Sequence, residues 1–378
     1  MINFNFWRPR EKFLILEIAP QKTSGLLLSL DAGRNLIPEK SWNNLQFDEL
    51  SRRLKSLRKR KIIVSAHPTL ATTVTFPAEL KRESDNFIKP LTITELENLL
   101  AQEIGKIFNQ RRSEAASKLK LHEIDTILVN YRVMGLKIDD HLVLNPIGFT
   151  GKTIKAVLEL TFTTRGIFEY LKNIFNADGG FFFTELSRAA LSSIAKIQEP
   201  PIGLLLLGVG KGRYFMLEKA AWGRVVYESG LGWSLGELLE AISLAFQASH
   251  GVVLELYEKY LKNDMSEHFR RSLGRVIRPV MMGFAKKLKE SKLRGRVYLY
   301  SPLPLPIRTP STIGGVSLND LPLGGVTDKL GFRINLAQWQ LPPDDVFTKL
   351  APFFEFYGDK SDSEINQKLR RRLHWLIR

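Results

Sequence analysis

Two separate stretches of the chain show the same order of apolar runs and polar turns. In the first, the apolar runs Phe13–Ile18 and Leu26–Leu30 are joined by a polar turn. In the second, Gly203–Val209, Tyr214–Glu218 and Gly223–Glu228 are separated by short breaks, the first of them rich in glycine and basic residues. Short apolar runs between turn residues are typical of strands that pair as a meander. Because helical segments follow each stretch, the pattern predicts an α/β protein with two lobes that begin alike.

The region between these two openings has a pattern of its own. Thr94 and Glu97 have the spacing of a capping box, which predicts a helix from there to about Phe108. The other elements predicted in this region are strands at 125–133, 142–144 and 155–163 and a helix at 164–175. We therefore expect a small α/β module inserted between the two openings.

Helical periodicity returns after the second opening. It covers residues 234–246, 254–262 and 268–288, and a buried strand is predicted at Arg296–Tyr300. Residues 301–325 are then rich in proline and glycine, which predicts irregular structure.

The C-terminal segment has the pattern of an amphipathic helix. Residues 358–362 are polar and turn-rich, which predicts a linker, and Ser363 is a candidate N-cap. At about 100° per residue, one sector is apolar and the opposite sector is basic. A basic amphipathic helix with a tryptophan at its edge is typical of binding to a membrane surface. The alternative is a last helix packed on its own domain. The residues assigned to membrane contact are Ile365, Lys368, Leu369, Arg370, Arg371, Arg372, Leu373, Trp375, Leu376, Ile377 and Arg378.

Charge narrows the class of partner. The formal net charge is +16, and basic residues cluster at Arg52–Lys61, at Arg270–Arg296 and at the C-terminus. Such an excess favours an anionic partner, namely nucleic acid, an acidic protein segment or anionic lipid. We interpret the first cluster as the solvated face of a helix whose apolar side is Leu50, Leu54 and Leu57. The chain has no cysteine, which excludes disulfides and thiol nucleophiles and fits a reducing compartment. Its apolar runs are too short for a signal peptide or a membrane span.

No motif for chemistry is complete. Thr150-Gly151-Lys152-Thr153 resembles the end of a phosphate-binding P-loop, but Pro146 stands where that motif needs glycine, so we interpret it as a turn. The histidines show no pair at metal-ligand spacing, and no serine-nucleophile motif is present. We predict no catalytic residue and no metal site. The sequence also shows no helix-turn-helix, no zinc ligands and no strand with alternating aromatic and arginine residues, which are typical of sequence-specific nucleic-acid binding.

The order of these parts resembles the FtsA family, actin-like membrane tethers of the bacterial division ring. The closest local likeness is LNPIGFTGKT at 144–153, preceded by Tyr131-Arg132-Val133, which looks like that family's SHS2 domain. The resemblance implies a two-lobed actin-like (ribonuclease H-like) α/β fold with an inserted SHS2-type subdomain and a C-terminal amphipathic helix. The implied domains are a first lobe at 1–88 and 172–200, the insertion at 89–171, a second lobe at 201–235 and 296–357, its small subdomain at 236–295, and the linker and membrane helix at 358–378.

The same resemblance implies where ATP and magnesium would bind. Actin-like folds use an acidic residue, glycine and threonine in each opening hairpin, but here Glu17, Ala19 and Pro20 occupy those positions in the first hairpin and Gly208 replaces the second acidic residue. Proline has no N–H for a phosphate. We therefore predict a pseudo-ATPase with weak or lost nucleotide binding. The nucleotide-facing positions carried over from the resemblance are Glu17, Lys22, Thr23, Gly208, Gly210, Lys211, Gly212, Gly230, Gly232, Glu258 and Lys262.

Two of these assignments have alternatives. Lys22, Lys211 and Arg213 could replace the charge of the metal and hold ATP without turnover. Glu258 and Lys262, one helical turn apart, could form an exposed ion pair.

The resemblance also implies partners and a location. The expected partner is an FtsZ-like division protein, whose acidic C-terminal peptide would meet Arg270, Arg271, Arg275 and Arg278, unless these residues form a plain solvated helix face. An anionic membrane surface, homo-oligomers or filaments, and a position on the cytoplasmic face of the inner membrane at the division site follow from the same likeness. The alternatives are a PilM-like scaffold of pilus assembly, which would lack a detached helix, and a nucleic-acid-binding protein.

Overall fold

The computed structural model describes residues 11–20, 22–45, 49, 60–83, 86–143, 145–175, 181–220, 223–361 and 366. The chain divides into two compact units. Unit 1 comprises Met1–Ile197, Lys219–Val225 and Leu323–Arg378, and unit 2 comprises Gln198–Glu218 and Val226–Pro322.

The described elements are mostly strands in three sheets and helices that cover them. The strands are β1 (Glu11–Ile18), β2 (Thr23–Leu30), β3 (Asn35–Leu45), β4 (Lys61–Ala66), β5 (Ala71–Lys81), β6 (Thr126–Ile138), β7 (His141–Val143), β8 (Thr153–Thr164), β9 (Phe182–Glu185), β10 (Ile202–Leu206), β11 (Arg213–Ala220), β12 (Gly223–Gly230), β13 (Arg296–Tyr300), β14 (Ser311–Ile313), β15 (Val316–Asn319) and β16 (Arg333–Ile334). The helices are α1 (Ile93–Leu119), α2 (Arg165–Phe175), α3 (Leu186–Ile194), α4 (Leu235–Phe246), α5 (His250–Lys262), α6 (Glu267–Glu290), α7 (Leu323–Leu330) and α8 (Pro343–Ser361).

Both large sheets are built in the same way. The first has the order β16-β3-β2-β1-β4-β9 and the second has the order β12-β11-β10-β13-β15-β14. In each, a strand and its hairpin partner are antiparallel, and the next strands on the other side are parallel. This duplicated order, three antiparallel strands followed by parallel ones, is that of the actin-like fold, so the predicted fold class is confirmed.

The inserted module is a four-stranded sheet, β5-β8-β6-β7, with α1 packed on it. Its helix begins earlier than predicted: Thr92, not Thr94, is the N-cap, and its hydroxyl accepts a hydrogen bond from the Glu95 N–H. The same Thr-x-x-Glu pattern occurs two residues earlier, at Thr92 and Glu95, and the helix that begins there buries Leu96, Leu100 and Ile104 in the core.

Several domain boundaries differ from the predicted ones, and Lys219–Val225, expected in the second lobe, belongs to unit 1. Strand β5 pairs along its whole length with β8, so the module's sheet starts at Ala71 and not at residue 89. Residues 323–357, expected in the second lobe, belong to unit 1. The reason is long-range pairing, because β16 joins the first sheet beside β3 and α8 packs on α3 and β1.

The predicted linker before the C-terminal amphipathic segment also differs from the expectation. Helix α8 continues through Gly358 to Ser361, so the predicted linker is helical over most of its length. Its apolar face is fully buried in unit 1; the residues concerned are Val346, Phe347, Leu350, Phe353 and Phe354. No helix in the described part of the chain is both long and apolar enough to cross a membrane.

Candidate functional site

The turn of the first hairpin uses its own backbone donors. The N–H of Ala19 donates to the carbonyl of Lys22 at 2.9 Å, and the N–H of Lys22 donates back to Ala19 at 3.3 Å. Pro20, between them, has no N–H. A phosphate held at a hairpin needs free backbone donors, and these three residues offer none. Thr23, a predicted nucleotide-facing residue, is buried at the start of β2.

A lysine from the C-terminal helix lies beside this hairpin. The ammonium group of Lys349 donates to the hydroxyl of Ser24 at 3.0 Å, and that hydroxyl donates to the carboxylate of Glu17 at 3.4 Å. Burial lowers the pKa of Lys349, attraction to Glu17 and Asp345 opposes the shift, and Lys22 adds to it. The positive charge that Glu17 meets therefore comes from the protein itself.

The Lys349 ammonium makes a testable contribution to stability. Because its pKa lies below the ordinary value of 10.5, the unfolded chain binds a proton that the folded chain lacks as pH approaches 10.5 from below. The free energy of unfolding should then rise with pH in that interval. In Lys349→Met this rise is removed, and urea unfolding across alkaline pH measures it. The exposed Lys329→Met should keep the wild-type slope; parallel curves for all three proteins would contradict the assignment.

The second hairpin is closed against the helix that follows it. The carbonyl of Gly208 accepts from the N–H of Leu235, and Gly212 donates to Trp233 and accepts from Leu231, all at 2.9 Å. A Cβ on Gly236 would lie 2.3 Å from the carbonyl oxygen of Val209, so glycine is required for this contact.

The same contacts engage the first turn of α4. Leu235 donates its N–H to Gly208, and Glu237 donates its N–H to the hydroxyl of Ser234, the N-cap, at 3.3 Å. A helix N-terminus attracts anions through such N–H groups. Here these donors are used inside unit 2. Gly210, Lys211, Gly230 and Gly232 are exposed residues of this region, and no contact assigns them a ligand.

The two hairpins therefore do not match the mode of ATP-magnesium binding that the resemblance implies. Both retain the backbone shape of the fold. In the first hairpin the N–H groups of Ala19 and Lys22 are engaged with each other, and at the second hairpin Gly208 offers no carboxylate and its carbonyl accepts the first N–H of α4. Among the described residues, no group of three or more histidine, aspartate or glutamate side chains could hold a metal ion. Glu258 and Lys262 lie on α5 as an exposed ion pair with a 3.6 Å separation, which is the alternative foreseen for them.

A buried ionic cluster, which sequence reasoning missed, joins the inserted module to the C-terminal helix. Arg132 on β6 contacts Glu355 on α8 at 2.6 Å, and Arg188 on α3 contacts Glu159 on β8 at 2.6 Å. Glu355 also accepts from Thr184 at 2.5 Å. Burial alone would lower the pKa of Arg188, but the surrounding carboxylates outweigh it and raise that pKa. The available signal was a charged residue inside each of the apolar runs ILVNYRV, AVLELTF and APFFEF.

A second contact on the same strand holds the chain after α8. The side-chain amide of Asn366 accepts from the N–H of Val133 at 2.9 Å and donates to its carbonyl at 3.4 Å. Asn366 is 3% exposed. Consecutive residues of β6, Arg132 and Val133, thus bind Glu355 and Asn366. We call these two contacts the C-terminal anchor.

The remaining predicted sites divide into two groups. Arg270, Arg271, Arg275 and Arg278 are exposed on α6. The predicted membrane-contact residues 365 and 368–378, and the cap Ser363, lie outside the described residues.

The two large sheets and their opening hairpins together define an actin-like fold. No protein-family model matches it, and no curated protein does. A structure of the PilM–PilN type IV pilus biogenesis complex is 15% identical over 92% of this chain and 96% of that one, with a TM-score of 0.46. The cytoplasmic domain of EpsL, an inner-membrane component of the Vibrio cholerae type II secretion system, is 13% identical over 86% and 98%, with a TM-score of 0.32. A Bacteroides thetaiotaomicron protein with an actin-like ATPase fold is 10% identical over 80% and 86%, with a TM-score of 0.36. These are similarities of fold.

Proposed function

We propose that the chain is a non-hydrolysing actin-like scaffold that a partner protein recruits to a membrane-associated assembly, in the manner of a PilM-type component of pilus or secretion machinery. In this proposal the protein works on the cytoplasmic side of the inner membrane. Its role is to hold other components of the assembly in place, without a cycle of ATP hydrolysis.

The engaged hairpins support the absence of hydrolysis. Ala19 and Lys22 pair with each other, and Gly208 accepts the first N–H of α4. A γ-phosphate and its metal need free donors and a carboxylate at these points. Lys349 supplies a fixed charge at the first of them.

The C-terminal anchor is the observation that favours a scaffold recruited by a partner over a protein that binds the membrane through its own helix. A tether needs a flexible connection between body and membrane helix, since its reach depends on the linker. Helix α8 instead runs through Gly358 to Ser361, and Asn366 is held by Val133. A membrane helix starting there would be fixed to the inserted module. Attachment through a partner's segment does not need such a linker.

An FtsA-like division tether is the second candidate. The pattern of 365–378 favours it, with apolar Leu369, Leu373 and Leu376 on one sector and Arg370–Arg372 outside it. Binding to an FtsZ-like peptide and assembly into filaments would belong to this function.

Co-sedimentation with anionic liposomes, with and without ATP-magnesium, separates the two candidates. The proteins are the full chain and a chain ending at Asn366, which keeps the C-terminal anchor. Recruitment by a partner predicts that both pellet to the same extent and that ATP-magnesium changes neither pelleting nor thermal stability. A full-chain variant with Leu369, Leu373 and Leu376 changed to glutamine controls for the truncation. Pelleting lost in both the truncation and this variant would overturn the scaffold in favour of the tether, and an increase in Tm with ATP-magnesium would overturn the loss of nucleotide binding.

A further inference from the structure

Helix α6 presents two sharply different faces. One face is buried in unit 2 by Leu273, Ile277, Phe284 and Leu288. The other is exposed and basic. Its residues share a sector of about 80° at 100° per residue. They are Arg271, Arg275, Arg278, Met282, Lys286 and Lys289. We call this exposed row the α6 ridge.

The charge of the α6 ridge is almost uncompensated. Residues 270–296 contain ten lysines and arginines and one acidic residue, Glu290. Arg271 pairs with Glu267 and Lys287 pairs with Glu290. Lys286 is attracted to Glu290 as well, whereas Arg275 and Arg278 form no ion pair within the described part of the chain. Solvated helix faces normally mix both signs, so this ridge suits an anionic partner.

The shape of the α6 ridge favours a surface over a peptide. A helix of 24 residues is about 36 Å long, and the cations from Arg271 to Lys289 span about 27 Å of it. The cations stand on the exposed face of the helix, and a plane of anionic headgroups can meet all of them without a matching sequence or register.

An exposed methionine lies in the middle of these cations. The side chain of Met282 is 67% exposed, although methionine is normally buried. A lipid headgroup layer can bind both the cations and the methionine, because the cations contact lipid phosphates while the apolar side chain enters the acyl boundary. A peptide of acidic residues alone or a nucleic-acid backbone would neutralise the cations and leave Met282 in water.

We infer that the α6 ridge is a lipid-binding surface, which places unit 2 against an anionic membrane independently of the C-terminal segment. The contact is electrostatic and reversible, since each basic residue near an anionic surface contributes modestly and salt screens it. It would orient the protein on the membrane whichever component recruits it.

Binding of purified full chain to vesicles of mixed anionic and zwitterionic lipid tests this inference. The ridge variant is Arg275→Glu/Arg278→Glu/Lys286→Glu. A charge-matched control reverses three exposed lysines of unit 1, in the variant Lys106→Glu/Lys172→Glu/Lys329→Glu. The ridge variant should bind at least about a hundredfold more weakly than the wild type, and the control much less so. Circular dichroism and Tm confirm that each variant is folded.

A second pair of variants separates lipid from other anions. Met282→Ser should weaken vesicle binding by about fivefold, whereas Leu244→Ser, which removes another exposed apolar side chain of unit 2, should not. Equal losses in the ridge variant and its charge-matched control would overturn the inference, as would duplex DNA or polyglutamate binding that depends on the ridge while vesicle binding does not. Repeating the ridge variant with Leu369, Leu373 and Leu376 changed to glutamine isolates this contact from the C-terminal segment, so its failure is distinct from failure of the proposed scaffold.

Discussion

Replacing Glu355 by alanine is expected to lower the free energy of unfolding of unit 1 by about 3–5 kcal/mol. The carboxylate is buried, contacts Arg132 at 2.6 Å and accepts a hydrogen bond from Thr184. A nitrogen of Arg188 lies 4.0 Å from it. Alanine would leave two buried guanidinium groups with one fewer counter-charge, and a buried charge without its partner is costly.

Thermal and urea unfolding of the full chain measure this loss, followed by a probe of unit 1. Glu258→Ala is the matched control, because it removes a carboxylate from an exposed ion pair on α5 and should cost less than about 1 kcal/mol. Similar small losses in both variants would mean that the buried cluster does not hold α8 against the inserted module.

Replacing Phe353 by alanine should destabilise unit 1 by about 3–5 kcal/mol. The side chain is fully buried on α8. Its ring centroid lies 4.7 Å from that of Tyr357, 5.1 Å from that of Phe13 and 5.3 Å from that of Phe332. Loss of the ring opens a cavity among groups from three elements, which cannot all close on it.

The measurement is again unfolding of the full chain, with hydrogen exchange of α8 as a local readout. Phe149→Ala is the control, because Phe149 is 51% exposed in the inserted module and its loss creates no cavity. If Phe353→Ala destabilised no more than Phe149→Ala, the C-terminal helix would not be part of the core of unit 1.

Local patterns predicted much of the fold. The apolar runs at Phe13–Ile18 and Arg296–Tyr300 are strands, and the helical period at 268–288 corresponds to α6. Both openings are three-stranded meanders, as the repeated order of runs and turns indicated. These elements are set by the alternation of apolar residues and by nearby turn residues, which a sequence displays directly.

The candidate site was harder to predict. The sequence showed that Pro20 and Gly208 depart from the actin-like pattern, but it did not show which groups take the place of a ligand. Lys349 reaches Ser24 from the other end of the chain, and Leu235 donates to Gly208 across a turn. Such partners are fixed by packing and leave no local trace.

Residues 358–361 also show that local sequence preferences do not by themselves determine the structure. Glycine and polar residues there favour a turn, but the helix continues because the preceding turns are anchored by buried aromatic rings and by Glu355. Tertiary contacts outweigh the weak local preference.

The sequence by itself determined the duplicated α/β architecture, the basic character of α6 and the departure of Pro20 and Gly208 from the actin-like hairpin pattern, since periodicity, charge and residue type are local properties. Only the tertiary structure decided that the C-terminal helix belongs to unit 1, that Arg132, Arg188, Glu159 and Glu355 form one buried cluster, and that Asn366 is held by β6. The reason is physical: a buried charge or amide is stable only with a partner, and that partner lies far away in sequence.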